Sequence, residues 1–82
     1  MHTKIIEFNG DFWHANPAFY NANDIIYTSE TYTYIANDIW QRDLKRKEAL
    51  EKLGYKVKVV WEKDFYEDQE KVIEDCLDFL KA

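Results

Sequence analysis

"LEKLGYKVKVVW", Leu50 to Trp61, is the stretch that decides the fold. Its first four residues finish a segment with helical spacing, and Gly54 stands where a helix stops on a residue in the left-handed region. The chain then alternates, with Tyr55, Val57, Val59 and Trp61 on one side and Lys56, Lys58 and Val60 on the other, which is the period of a strand. "KIIEFN", residues 4–9 and ended by Gly10, reads as the strand it pairs with. A right-handed crossover through the intervening helix makes the two strands parallel.

Upstream, "ETYTYIANDIWQRDLKRKEALEKL", residues 30–53, predicts one long helix, with Thr28 and Ser29 as N-cap candidates and Glu30 in its first turn. At about 100° per residue, Tyr32, Ile35, Ile39, Leu50 and Leu53 form one apolar stripe. Asp43 and Arg46 fall inside that stripe. A carboxylate on an apolar face is paired, metal-bound or beside a cleft, and the plain alternative is an i,i+3 ion pair between Asp43 and Arg46. Residues 10–29, rich in Asn, Asp and aromatics, read as a loop. Downstream, Asp68 caps a last helix whose apolar face is Val72, Ile73, Cys76, Phe79 and Leu80. The order is β–loop–α–β–α, one α/β domain over residues 1–82. Two strands alone make a poor sheet, so either a strand hides within residues 18–28 or a second chain completes the sheet.

Composition narrows the classes. With 46% hydrophobic and 33% charged residues the chain is globular rather than disordered, and 82 residues leave room for only a small core. No apolar run reaches membrane-spanning length, and the N-terminus lacks a signal-peptide pattern, so no membrane association and a cytoplasmic location are expected. Cys76 is alone, which excludes an intrachain disulfide and a cysteine zinc motif. The net charge of −5 is unevenly spread: residues 42–63 carry eight bases against four acids, while the flanks are acidic. The net charge argues mildly against a nucleic-acid partner, but a basic middle between acidic flanks fits one positive face, or equally a solvated helix with paired charges.

The segment "IIEFNGDFWHANP", Ile5 to Pro17, carries the candidate chemistry. Glu7 at a strand end and Asp11 past the glycine turn are placed to bind a hard cation such as Mg²⁺. His14 is a candidate general base or acid, because imidazole titrates near working pH. Asp43, arriving from the crossover helix, is a candidate fourth member. Together they suit metal-assisted attack of water on a phosphodiester. Each also has an ordinary structural reading, and Glu and Asp at this spacing are common. His2 is assigned no role.

At "EFNGDFWHANP" and again at "IWQRDLKRKEALEKLGYKVKVVWEKDF" the chain resembles the very-short-patch repair (Vsr-like) endonucleases and, more closely, the phage and intron-encoded EDxHD homing endonucleases. The two blocks span roughly residues 4–65 in the family's order. The resemblance implies a partial PD-(D/E)XK nuclease core and a DNA endonuclease of homing or patch-repair type, dependent on Mg²⁺ or Mn²⁺. It implies that Glu7, Asp11, His14 and Asp43 are catalytic, with Glu7 and Asp11 at the metal and Asp43 orienting His14. Phe12, Trp13 and Asn16 would meet DNA, with Lys45, Arg46 and Lys47 on its phosphates. Asn9 stands where many such nucleases have lysine. Relatives also carry an earlier strand with an acidic ligand, which residues 1–82 do not contain. Hence the chain is expected to be a fragment, an enzyme completed by a homo-oligomer or complementing chain, or a catalytically silent DNA-binding or assembly module. A small interaction domain is the reading that needs no chemistry at all. If phage-encoded, it would work in the host cytoplasm.

Overall fold

The computed structural model describes residues 3–82; His2 lies outside them. The chain is a small mixed α/β domain with open sheets and three helices. Strand β1 (Lys4–Asn9) pairs in parallel with β4 (Lys56–Trp61), in the register Glu7↔Val59 and Asn9↔Trp61. Between them come a hairpin of β2 (Ile25–Thr28) and β3 (Thr33–Ile35), then helix α1 (Ala36–Lys52). A short helix α2 (Glu62–Glu67) and helix α3 (Gln69–Lys81) follow β4.

The turn that ends α1 forms as its sequence dictates. Gly54 takes φ +97°, and the Gly54 and Tyr55 N–H groups return to the carbonyls of Glu51 and Leu50, the paired bonds of a Schellman stop. Asp68 caps α3, accepting from the Lys71 N–H at 3.1 Å.

The start of α1 differs from expectation. Residues 30–35 are not helical, and Ser29 is not a helix cap. The Ser29 hydroxyl accepts from Tyr32 N–H and donates to Tyr32 carbonyl, closing the hairpin turn. Tyr27 stacks on its cross-strand neighbour Tyr34, centroids 4.6 Å apart, and Tyr32 meets Tyr34 edge-on. Thr-Tyr-Thr-Tyr suits a pleated strand better than a helix, where β-branched and aromatic side chains lose χ1 freedom. Asp38 then takes up the Ile35 N–H, while the carbonyls of Asp24 and Ala22 accept from Ala36 and Asn37. Those bonds satisfy the orphan donors of the first turn.

The apolar stripe shifts accordingly. Ala36 and Ile39 are buried, and Trp40, Asp43, Lys47 and Leu50 are half-buried below them. Tyr32 lies outside the helix, and Leu53 is 75% exposed. Ile39, Ala36 and Ala15 form the core, with Tyr20, Ile26, Tyr27, Tyr34 and Trp40 against it. The hairpin is a separate sheet, so the strand missing from residues 18–28 exists but leaves β1 and β4 as a pair.

The pair has two unlike faces. Glu7, Asn9, Val59 and Trp61 look toward α1. Ile6, Phe8 and Val60 look toward α2 and α3. Among the described residues no helix is long and apolar enough to cross a membrane.

Candidate functional site

Residues 10–16 form a tight loop after β1. The His14 N–H reaches the Gly10 carbonyl at 3.1 Å and the Asn16 N–H the Asp11 carbonyl at 2.8 Å. Ala15, buried, sits at φ +50°, a conformation a non-glycine residue holds only when its surroundings compel it. The Ala15 N–H returns to the Phe12 carbonyl at 3.1 Å, and its carbonyl accepts from the indole N–H of Trp40 on α1 at 2.6 Å. The loop is thereby fixed to the helix that carries Asp43.

That fixation brings His14 and Asp43 together. His14 Nδ1 lies 2.8 Å from Asp43 Oδ2, across 29 residues of sequence. A carboxylate only accepts, so Nδ1 carries the hydrogen and donates it. The tautomer leaves Nε2 as the nitrogen free to exchange a proton. The Arg42 Nε is 3.6 Å from the other Asp43 oxygen. Asp43 is therefore paired with His14, not with Arg46.

Arg46 instead forms an ion pair with Glu7. Glu7, Asn9, His14, Trp40, Asp43 and Lys47 line one open cleft of about 240 Å³, floored by Val59 and Trp61. Glu7, His14 and Asp43 thus share a site.

Asp11 turns elsewhere. Its Oδ1 accepts from the Asn16 side-chain amide at 2.8 Å and from the Lys63 N–H at 3.2 Å. Its own N–H donates to Glu62 Oε1 at 3.2 Å. These two bonds with Glu62 and Lys63 are reciprocal, tying the loop to the first turn of α2 as a capping box does within one chain segment. The sequence had no local signal for this tie, because its two ends are about fifty residues apart.

Asn16 is buried at 4% exposure, its amide spent on Asp11 and on the Ala18 N–H. Phe12 and Trp13 are exposed side by side, ring centroids 5.0 Å apart, with Trp13 resting edge-on against Tyr27. Lys45 is exposed and Lys47 half-buried in the cleft wall.

Mg²⁺ takes one or two protein carboxylates and completes its octahedron with water and phosphate oxygens. Among the described residues, no three His, Cys, Asp or Glu side chains come together to hold a cation. Glu7 is engaged by Arg46, and Asp11 by Asn16 and α2. Either carboxylate would exchange a present partner to take a cation. No family model matches the chain, and no curated protein or solved structure matches it.

Proposed function

We propose that the cleft is the reaction site of a DNA endonuclease domain, in which His14 moves the proton during hydrolysis of a phosphodiester. The observation that carries this reading is the His14–Asp43 pair at 2.8 Å, opening on a cleft shared with Glu7 and Lys47. Asp43 holds the ring in one tautomer and steadies the imidazolium that forms when Nε2 takes a proton from water, the role a carboxylate plays behind many catalytic histidines. Lys47 in the cleft wall supplies positive charge for phosphate oxygens, and Lys45, exposed elsewhere on α1, is a further candidate contact. Phe12 and Trp13, exposed on the same loop as His14, offer faces on which unstacked bases can lie.

The reading extends to the fold: β1, α1 and β4 are the part of a Vsr-like PD-(D/E)XK core that residues 4–65 resemble. Mg²⁺ or Mn²⁺ is the cofactor this family resemblance calls for, with Glu7 and Asp11 as its ligands. A plasmid-nicking assay with each cation tests the whole. Wild type is expected to nick, while Glu7→Gln and His14→Ala are not. Cleavage that survives both substitutions refutes the site.

A second reading is favoured by one observation. Glu7 is held by Arg46, and no three-ligand group accompanies it among the described residues, which suits a DNA-binding module of the same fold that does not cut. Salt-sensitive DNA binding without nicking in either cation is its signature.

A further inference from the structure

The second face of the β1–β4 pair leaves several large apolar side chains in water with no charged side chain among them. Phe8 is 54% exposed and Ile73 on α3 is 51% exposed, with Ile6 and Leu77 beside them. Together with Val60, Phe65, Val72 and Cys76 they line an open groove of about 210 Å³ to which no charged side chain contributes.

The chain as a whole exposes more surface than a self-contained monomer needs. A self-contained monomer of this mass exposes about 5,200 Å², whereas this chain exposes 6209 Å². The excess, roughly 1,000 Å², is about what one subunit contributes to an interface of standard size. The radius of gyration agrees: 14.5 Å, against about 12 Å for a compact domain of this length. A flat edge borders the groove as well, since β1 pairs only with β4 among the described residues, and an unpaired strand edge is a template for another chain.

The geometry points to a second copy of this chain as the occupant: two molecules bury their Ile6–Phe8–Ile73–Leu77 faces against each other about a two-fold axis. A wholly apolar lining is the mark of a permanent homo-oligomer rather than a transient partner, whose contact surface is about as polar as the rest of the protein. A two-fold contact needs one self-complementary patch, and an uncharged groove meets itself without like-charge repulsion. The dimer uses the face opposite the cleft, so it stands independently of the endonuclease reading.

Sedimentation velocity on the full chain in the micromolar range tests it. Wild type is expected at twice 9.9 kDa, and the double variant Phe8→Glu/Ile73→Glu as a monomer with unchanged far-UV circular dichroism. Both positions are already half in water, so the charges have little core to disrupt. In wild type, Cys76 at the groove wall is expected to be alkylated by iodoacetamide more slowly as protein concentration rises. A wild-type monomer, which would leave the face to a different protein, overturns the proposal. So does a dimer that survives the double variant, or a Cys76 alkylation rate that stays constant across dilutions over which sedimentation shows the dimer dissociating. If the double variant does not fold, the alkylation series on wild type still decides.

Discussion

The two faces of the β1–β4 pair invert the usual distribution of polarity. Toward α1, charged side chains are paired, half-buried Glu7 with exposed Arg46 and half-buried His14 with half-buried Asp43. Toward α3, phenylalanine, isoleucine and leucine stand half in water with nothing over them. Burying charge costs free energy unless partners compensate it, and exposing apolar area forfeits about 25 cal/mol per Å². On the two proposals above, the paired polar side chains serve the cleft and the exposed apolar side chains serve association. The short helix α2 joins the halves. Its Lys63 N–H holds the cleft loop through Asp11, while its Phe65 meets Phe8 edge-on at 5.7 Å in the groove.

The largest effect is expected at the cleft. His14→Ala should lower nicking by about 10²–10⁴-fold, the usual contribution of a positioned acid or base. Asp43→Asn should lower it as well while leaving the affinity for DNA intact, because its role is to orient the ring. Activity unchanged in His14→Ala would return the cleft face to a purely structural role.

Stability separates the faces next. Ile39, 1% exposed, is the largest fully buried side chain, and Ile39→Ala should cost about 2–5 kcal/mol. In so small a domain that approaches the whole margin of folding. Ile73→Ala should cost well under half as much in a monomer, since that side chain is already half solvated. Equal losses by urea denaturation at low protein concentration would mean that the α3 face is as well packed as the α1 face.

The elements written in local rules were legible in the sequence. Gly54 announced the end of α1, the alternation after it announced β4, and Asp68 announced α3. Residues 30–35 were not legible, because Tyr32 and Ile35, three apart, continue the helical stripe of Ile39 upstream. What decides for the strand is the Tyr27–Tyr34 stack and the Ser29 turn, both of which require the hairpin to exist first. Helix α2 escaped notice because six residues carry no period, and its tie to Asp11 comes from the other end of the chain. For the site, the helical wheel placed Asp43 on the inward face and left its partner open, with Arg46 as one candidate, while the family resemblance named His14. The wheel sees residues three or four apart, whereas His14 arrives from a loop and Arg46 is drawn to Glu7 on the strand beneath the helix.

Asp11 gives a smaller, sharper test. If its role is the tie to α2, Asp11→Ala should lower stability by about 1–2 kcal/mol, the range for losing a helix cap, while Asp11→Asn, which keeps an acceptor oxygen, should lose much less. If Asp11 instead serves a cation, Asp11→Asn should abolish nicking at unchanged stability. Thermal denaturation and the nicking assay, run on both variants, separate the two roles.

The smallest effect concerns α2 itself. Lys63 donates to Glu67 at 2.8 Å, and that hydrogen bond, with the nearby charges of Glu67, Asp64 and Asp11, raises its pKa above the ordinary lysine value against the opposing pull of desolvation. A folded pKa above the unfolded one means that the charged form is favoured by folding. The contribution is fully present below the ordinary lysine range and is lost as pH rises through the elevated value. Lys63→Met should therefore melt slightly below wild type at neutral pH, and the gap should close on the alkaline side of the lysine range. A gap that persists there would assign the loss to packing along the Lys63 stem instead of to its charge, and would leave the coupling of α2 to the cleft loop resting on Asp11 alone.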